Sequence, residues 1–196
     1  MKKLIRTLLV SCMMLLCAQT AFADQVTIPE GADISDIHRL AIASPQYVPY
    51  TALKDPSKEE VLAAVYKASE VARCYVLSYD TIAQNIAQDK KIDLTGLDRR
   101  EASKVYKENV AAYADAYVVL TVANDKHVVC FYDVYRAGTN ELLYSYRIGA
   151  YHKGDRDAAT YQTLTERFYK QFEDSAESQQ KKKAEEAKKA AKEAKK

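Results

Sequence analysis

The sequence predicts an α+β domain in which a single mixed sheet is flanked by helices. In some segments apolar residues recur at helical spacing, whereas others are continuous or alternating runs of β-branched and aromatic residues. The predicted order is β-α-β-α-β-β-β-α, so helices interleave with strands early and three consecutive strands close the sheet. This order is typical of one layered α+β domain, here over residues 36–178.

The first strand is predicted over residues 37–43, where apolar and polar residues alternate. It follows an extended lead-in over 24–35 and precedes a loop over 44–56 that contains proline and tyrosine. The second strand, over 74–79 with the sequence CYVLSY, is predicted from its β-branched and aromatic residues.

Helices are predicted where a capping residue precedes an apolar stripe. Ser57 and Glu60 match the capping box S-x-x-E, in which each side chain accepts a hydrogen bond from the backbone amide of the other residue. Asp98 and Glu101 form a looser version of the same motif. The predicted helices are 58–72 after Ser57, a short one ending at Ala87 after Asp80 or Thr81, 99–113 after Asp98, and one that begins after Asp157.

Three strands follow one another in the second half of the chain. Residues 117–123 are a continuous apolar run, which is typical of a central strand. Residues 127–136 and 141–151 are long and rich in tyrosine, and the turn 137–140 between them predicts a hairpin. Gly and Pro are absent from 155–196, so the last helix has no stop signal and is expected to continue into the basic tail.

Two segments resemble a group of bacterial envelope domains. These segments are HRLAIA, residues 38–43, and YADAYVVLTVANDKHVVCFYDVYRAGTNELLYSYRIG, residues 113–149. The group includes the N-terminal domain of the Tol-system protein TolB, the curli-secretion lipoprotein CsgG and the penicillin-binding-protein activator LpoB. In it, a helix ends in a step similar to Tyr113–Tyr117, and a later strand carries an acid and then a glycine turn, similar to Asp133 and Gly138. The resemblance implies a docking or assembly role and brings no catalytic residues.

The N-terminus has the three parts of an export signal. Met1–Arg6 is basic, Thr7–Ala18 is apolar, and Ala21-Phe22-Ala23 offers the small residues that signal peptidase requires. We therefore expect a signal peptide over residues 1–23, a mature N-terminus at Asp24, no later transmembrane span, and a periplasmic or secreted protein. The weaker alternative is a lipoprotein modified at Cys12 or Cys17.

Charge is distributed unevenly along the chain. The net charge of +2 combines +3 in residues 1–23, +5 in 181–196 and therefore −6 in 24–180. An acidic body makes nucleic acid an improbable partner. The Lys/Ala/Glu-rich tail over 179–196 is predicted to be helical or disordered, and it either binds an anionic envelope polymer or serves as a solubilising extension. Its lysines are Lys181, Lys182, Lys183, Lys188, Lys189, Lys192, Lys195 and Lys196.

The predicted mature chain keeps two cysteines, Cys74 and Cys130. An even number in an oxidising compartment permits a disulfide. The alternative is a pair of free thiols that pack as small apolar groups, and we favour it because both cysteines fall in predicted strands.

No sequence motif predicts catalysis, a metal or a cofactor. His38, His127 and His152 lie at a strand start, a turn and a loop, which does not predict three convergent metal ligands. Asp133 lies in the middle of a predicted strand, where a carboxylate more often faces water or accepts turn amides than acts as a base. We therefore expect a protein that is not an enzyme.

Tyrosine is the most unusual component of the sequence, with 15 residues. A surface of tyrosines suits a protein interface or sugar stacking, because a rigid ring gives contact area at low entropic cost. The alternative is that these residues are simply good strand formers. The candidate binding residues are Tyr132, Tyr135, Tyr144, Tyr146 and Tyr151.

The sequence therefore predicts an exported accessory protein that binds another envelope component, either a protein or an anionic polymer. The alternative function is that of a periplasmic small-ligand or glycan-binding protein, or of a cryptic hydrolase, which would use the tyrosine-rich hairpin.

Overall fold

A computed structural model describes residues 24–48, 56–124, 127–150 and 156–193. Within them the chain forms seven strands and four α-helices around one mixed sheet, which confirms the α+β class. The predicted signal peptide with Cys12 and Cys17 lies outside the described residues, as do His152, Tyr151, Lys195 and Lys196.

The strands are β1 Gln25–Thr27, β2 Arg39–Ile42, β3 Gln46–Tyr47, β4 Tyr75–Leu77, β5 Ala116–Asn124, β6 Val128–Arg136 and β7 Leu142–Ala150. The helices are α1 Lys58–Ala68, α2 Tyr79–Lys90, α3 Arg99–Asn109 and α4 Ala158–Glu193. Short 3₁₀ turns extend α1 and α3, so the predicted ends of these two helices are correct within a few residues.

The strand order is β1-β7-β6-β5-β2-β4, and β3 also pairs with β5, beyond the end of β2. The β5, β6 and β7 strands form the predicted antiparallel meander, whereas β2 runs parallel to both β4 and β5. The first five residues of β5 are buried on both faces of the sheet, because β5 lies at its centre. This position explains why its sequence is continuously apolar rather than alternating.

Three helix starts follow the predicted capping chemistry and one differs. The capping box of Ser57 and Glu60 is present, and Asp98 accepts hydrogen bonds from two amides of the first turn of α3. At the start of α4, Asp157 Oδ1 accepts the Thr160 amide at 2.9 Å. The predicted helix α2 is present, but its predicted cap is wrong, because Ser78 rather than Asp80 or Thr81 caps it directly after β4.

Helices cover the two faces of the sheet unequally. On one face α1 and α4 pack against β2, β5, β6 and β7 and form the larger core cluster. On the other face α2 and α3 form a smaller cluster with β2 and the start of β5, and Tyr135 and Ala137 lie at its margin. The second helix layer is therefore narrower than the sheet.

The lead-in is an integral part of the fold. Gln25–Thr27 pairs antiparallel with β7 at the edge of the sheet. Just before it, Tyr146 and Arg167 both donate hydrogen bonds to the Asp24 carboxylate and hold the start of this segment. Further along, Gln179 donates to the Ala32 carbonyl at 3.1 Å and accepts the Ile34 amide at 2.9 Å. The predicted lead-in thus lies along α4.

The first residues of the predicted tail contact the rest of the fold. The α4 helix is continuous from Ala158 to Glu193, and its residues up to Lys183 contact the lead-in, since Lys183 forms an ion pair with Asp33. The basic segment is helical throughout its described part and is exposed from Lys181 onward. Of the four described helices, none combines the length and apolar character needed to span a membrane.

Candidate functional site

The structure corrects the predicted tyrosine surface. Tyr132, Tyr144 and Tyr146 are at most 2% exposed, because α4 covers the face of the hairpin on which they lie. The sequence shows that the three tyrosines share a strand parity and that α4 carries an aromatic stripe, but not which face of the hairpin α4 covers. Phe168 stacks on Tyr132 with ring centroids 4.6 Å apart and an interplanar angle of 9°.

Two of the three buried tyrosine hydroxyls, those of Tyr132 and Tyr146, have hydrogen-bond partners within the fold. Tyr132 Oη lies 2.8 Å from Thr165 Oγ1, and Tyr146 donates to Asp24 at 2.8 Å. Burial raises the pKa of both hydroxyl groups, and for Tyr146 the hydrogen bond to Asp24 raises the pKa further. These side chains act as core residues, and a binding function cannot be assigned to them.

Tyr135 points to the opposite face of the sheet from Tyr132. Its ring stacks on that of Tyr117 at a centroid distance of 5.4 Å, and it is half-buried at the margin of the second core cluster. Tyr151, the fifth candidate, lies outside the described residues. The described part of the hairpin therefore presents no shared tyrosine surface.

Cys74 and Cys130 have free thiols and lie far apart. Cys74 precedes β4 and Cys130 lies in β6, so β2 and β5 run between them. Three strand spacings correspond to about 14 Å, whereas a disulfide requires Cα atoms within about 7 Å. The fold thus keeps the two thiols apart, as the alternative of two free thiols expects.

The uncovered part of the sheet presents a set of side chains that sequence reasoning missed. These side chains lie beyond the α2 and α3 layer, on its face of the sheet, and are half-buried or exposed. We call this surface the open face, and it consists of Thr121, Ala123, Val129, Phe131, Asp133, Ser145 and Arg147. The sequence offered a signal for it, because β6 places apolar residues on both faces rather than alternating apolar and polar residues.

Strand register orders the open face into rows. Thr121, Phe131 and Arg147 are direct neighbours across β5, β6 and β7, and the Arg147 guanidinium carbon lies 5.9 Å from the centre of the Phe131 ring. In the next row, Ser145 Oγ donates to Asp133 Oδ1 at 2.6 Å. The result is an aromatic centre with a cation on one side and a carboxylate on the other.

The Asp133 carboxylate on this face has a structural partner, since it accepts the Ser145 hydroxyl. Among the described residues, no group of three or more His, Cys, Asp or Glu side chains is arranged to hold a metal ion.

The Tyr-Ala-Asp step that precedes β5 is a structural junction. The Asp115 carboxylate accepts the amides of His38 at 3.0 Å and Arg39 at 2.8 Å, and it also accepts the Arg39 guanidinium at 3.3 Å. Burial alone would raise the pKa of Asp115, but these donors outweigh it and lower the pKa below its usual value. Asp115 thus aligns the starts of the parallel strands β2 and β5.

The structure is similar to the C-terminal domain of LpoB. The domain from Escherichia coli aligns over 63% of this chain and 90% of its own length, with 15% identity and a TM-score of 0.46. The lipoprotein GNA1162 from Neisseria meningitidis aligns over 68% of this chain and 95% of its own, with 14% identity and a TM-score of 0.44.

The PelC dodecamer from Paraburkholderia phytofirmans is also similar, with 9% identity, coverage of 74% of this chain and 94% of that chain, and a TM-score of 0.38. No protein-family model matches the sequence. No curated protein matches it either. These similarities concern the fold alone.

Proposed function

We propose that this chain is an exported, non-enzymatic accessory protein of the cell envelope that binds a partner protein through the open face. The observation that carries this proposal is the incomplete helix layer on one side of the sheet. The α2 and α3 helices cover β2 and the start of β5, while the side chains of β5, β6 and β7 beyond them remain accessible. A sheet face that carries an aromatic ring and aliphatic groups is usually covered, within the chain or by a partner.

The dimensions of the open face favour a single helix as the occupant. From Val129 to Asp133 the face extends about 13 Å along β6, and from β5 to β7 it extends about 10 Å. An α-helix with its side chains is about 10 Å wide. An amphipathic helix of the partner would therefore complete the layer that α2 and α3 begin.

The chemistry of the open face defines the partner helix further. Val129 and Phe131 offer apolar contact area, so the helix needs an apolar stripe. Arg147 is exposed beside Phe131, so we expect a carboxylate on the partner helix. Arg147 would donate a charge-assisted hydrogen bond to this carboxylate while its guanidinium stays on the Phe131 ring. The buried centre of such a contact contributes most of the binding energy, so Phe131 is the expected hot spot.

Site-specific photocrosslinking in cells that express the chain tests this proposal. A benzoylphenylalanine placed at Phe131 should give a discrete crosslinked species that mass spectrometry identifies as one envelope protein. Tyr66 is the matched control, because its ring is 48% exposed on α1, on the opposite side of the molecule from the open face. The same probe at Tyr66 should give no such species.

Two variants separate docking from folding. Phe131→Asp should abolish the crosslink made from a second probe at Thr121, while the melting temperature of the purified protein stays close to that of the wild type. Equal crosslinking from Tyr66 and Phe131, or a crosslink from Thr121 that survives Phe131→Asp, would contradict docking at this face. A species containing only two copies of this chain would show self-association in place of a partner protein.

A further inference from the structure

A concave site lies on the same side of the sheet as the open face and next to it. It is a cavity of about 1060 Å³ bounded by α3, by the N-terminal turn of α1 and by the segment Ser44–Tyr47. This volume is at the upper end of the range found for small-molecule sites. Its floor is apolar and is formed by Ala43, Tyr79, Leu94, Tyr106 and Val119.

The aromatic part of the floor is rigid. Tyr79 and Tyr106 stack with ring centroids 5.6 Å apart and an interplanar angle of 12°, and Tyr106 donates to the Ile42 carbonyl at 2.8 Å. The Lys58 ammonium lies 4.3 Å from the centre of the Tyr79 ring. The cavity thus holds a cation positioned on a fixed aromatic wall.

The rim of the cavity is positively charged, although the body of the protein is acidic. Residues 24–180 carry a net charge of −6, but the described residues that line this cavity include five cations and two carboxylates. Of the carboxylates, Glu108 lies 3.9 Å from Lys104 on the same helix. The lining cations are Lys58, Arg99, Arg100, Lys104 and Lys107.

Neutral hydrogen-bonding side chains complete the lining. They come from four separate segments of the chain, and two of them are already oriented by the fold. Thr95 donates to Asp93 at 2.7 Å, and Asn140 accepts the Tyr117 hydroxyl at 2.8 Å. The set comprises Ser44, Gln46, Thr95, Ser103 and Asn140.

We propose that this cavity binds an acidic saccharide, that is, a sugar unit that carries a carboxylate or a phosphate. The arginine and lysine side chains would bind the anionic group through charge-assisted hydrogen bonds. The hydroxyl and amide side chains match the hydroxyl groups of a sugar, and the apolar floor matches the C–H face of the ring.

This site does not depend on the docking function proposed above. Most of its residues come from α1, α3 and the segments beside β2 and β3. Val119 of β5 and Asn140 of the β6–β7 turn also line it, but none of the open-face side chains does. Loss of partner binding in the Phe131→Asp variant should leave saccharide binding unchanged, so the two proposals fail separately.

Amide chemical-shift titration of the ¹⁵N-labelled chain from Asp24 onward tests the site. Glucuronic acid, glucose 6-phosphate and uncharged glucose are the three probes, because they share a ring and differ in the anionic group. Both acidic probes should shift the amides of Thr95, Ser103 and Lys107 in a saturable manner. Glucose should bind at least about tenfold more weakly, since a charge-assisted hydrogen bond contributes on the order of one tenfold step in affinity.

Variants on the rim and inside the cavity test which side chains contact the acidic probes. Arg99→Gln with Arg100→Gln should weaken both acidic probes at least about tenfold, because two charged donors are lost. Ser103→Trp places a bulky ring in the cavity and should weaken the binding of every probe. The matched control is Lys67→Gln with Lys90→Gln, which removes two exposed lysines of α1 and α2 outside the cavity and should leave the affinities unchanged.

Binding of only one acidic probe would assign the site to carboxylates or to phosphates, within the proposal. Absence of saturable shifts at the cavity amides would overturn the proposal, as would equal affinities for glucose and the acidic probes. Equal weakening by the control pair would also overturn it, because binding would then follow the net charge of the protein rather than the cavity.

Discussion

Glu173 shows how a single buried carboxylate joins two distant segments of the chain. It is 8% exposed on α4 and accepts the amides of Arg73 and Cys74 as well as the Arg73 guanidinium. These amides lie just before β4, where the strand ladder has not yet begun. Glu173 therefore supplies the hydrogen bonds that the backbone lacks at this point.

Removing this carboxylate should be costly, although its partner Arg73 is exposed. Glu173→Ala is expected to lower the free energy of unfolding by about 1–3 kcal/mol, because it leaves two backbone amides without an acceptor. Arg73→Ala is the matched variant, since it keeps both amide bonds and removes only a side chain that is 63% exposed. It should cost clearly less than Glu173→Ala, because solvent screens an ion pair with an exposed partner. Urea denaturation of both proteins measures the difference, and equal effects would assign the stabilisation to the ion pair.

The two cysteines should differ in reactivity according to burial. The pKa of both thiols is raised to about 12. Burial is the main cause for both, and the nearby Glu173 carboxylate contributes to the value of Cys74. Because the thiolate is the reacting species, a disulfide reagent at pH near 8 should modify the native protein slowly. Cys74 is half-buried and should react first, whereas Cys130 is fully buried and should react only on unfolding. Mass spectrometry of timed samples gives the order, and early labelling of Cys130 would contradict it.

At the residue scale, the helix caps were predictable from the sequence, whereas the burial of a side chain by a distant helix was not. The caps at Ser57, Asp98 and Asp157 depend on neighbours within three residues, and all three are confirmed. The fate of Tyr132 depends on Phe168, which is 36 positions away and reaches it only because α4 folds back over the hairpin. Strand parity gave the shared face of the tyrosines, but not which of the two faces α4 would cover.

The lead-in and α4 form one structural unit at the scale of elements. The last contacts along this unit are made by Gln180, which donates to the Ser35 carbonyl at 2.8 Å, and by Lys183, whose ammonium contacts both Asp33 and Ser35. The Lys183 hydrogen bond is the main cause that lowers the pKa of Asp33 to about 2, and Ser35 adds to it. The first turn of the predicted tail thus fixes the segment that leads into β2.

This contact should make stability depend on pH in a defined direction. The pKa of Asp33 is lower in the folded chain than its usual 3.8, so its contribution is complete above about pH 4 and is lost as the pH falls towards about 2. Lys183→Gln should raise the pKa of Asp33 towards 3.8, which carboxyl NMR titration measures. The stability difference between wild type and variant should be present at pH 7 and shrink below pH 4.

Lys182→Gln is the control for this prediction, because Lys182 is exposed one position away and Asp33 pairs with Lys183. It should leave the titration of Asp33 unchanged. If Lys182→Gln and Lys183→Gln raise the pKa of Asp33 equally, the cause is the general positive charge of the helix rather than the specific contact.

The three long strands were predictable from the sequence, whereas two of the short strands were not. The strands β5 to β7 have nine residues each, and their apolar runs and turn signals are strong enough to be recognised. The strands β1 and β3 have three and two residues, and they exist only because β7 and β5 offer them free edges. Pairing with a distant strand leaves no periodic signal in so short a segment.

The charges of the whole molecule are separated in space. The body carries −6 over residues 24–180, while α4 continues past Lys183 as an exposed helix. At 1.5 Å per residue, the ten described residues from 184 to 193 extend about 15 Å beyond the last contact with the lead-in. The final nine residues, 188–196, hold five lysines and one glutamate, so they carry +4. This end of the helix is far enough from the acidic body to meet an anionic surface.

We predict that these nine residues bind anionic envelope polymers or headgroups. Deleting residues 188–196 should leave the melting temperature nearly unchanged, because the deletion spares Gln179, Gln180 and Lys183. It should abolish the co-sedimentation of the chain with vesicles that contain anionic phosphatidylglycerol at 0.05 M salt. High salt should have the same effect on the intact chain, since the Debye length falls from about 10 Å at 0.1 M to about 3 Å at 1 M.

Two full-length variants, substituted at the five lysines of residues 188–196, distinguish the effect of the charge from the effect of the helix. Substituting these lysines by glutamine removes the charge and should reproduce the deletion, whereas substituting them by arginine keeps the charge and should preserve binding. The substituted positions are Lys188, Lys189, Lys192, Lys195 and Lys196. Equal sedimentation of the glutamine and arginine variants would show that the tail is a solubilising extension. The acidic body would then repel anionic surfaces without compensation, and binding to the envelope would have to depend on the open face and its partner helix.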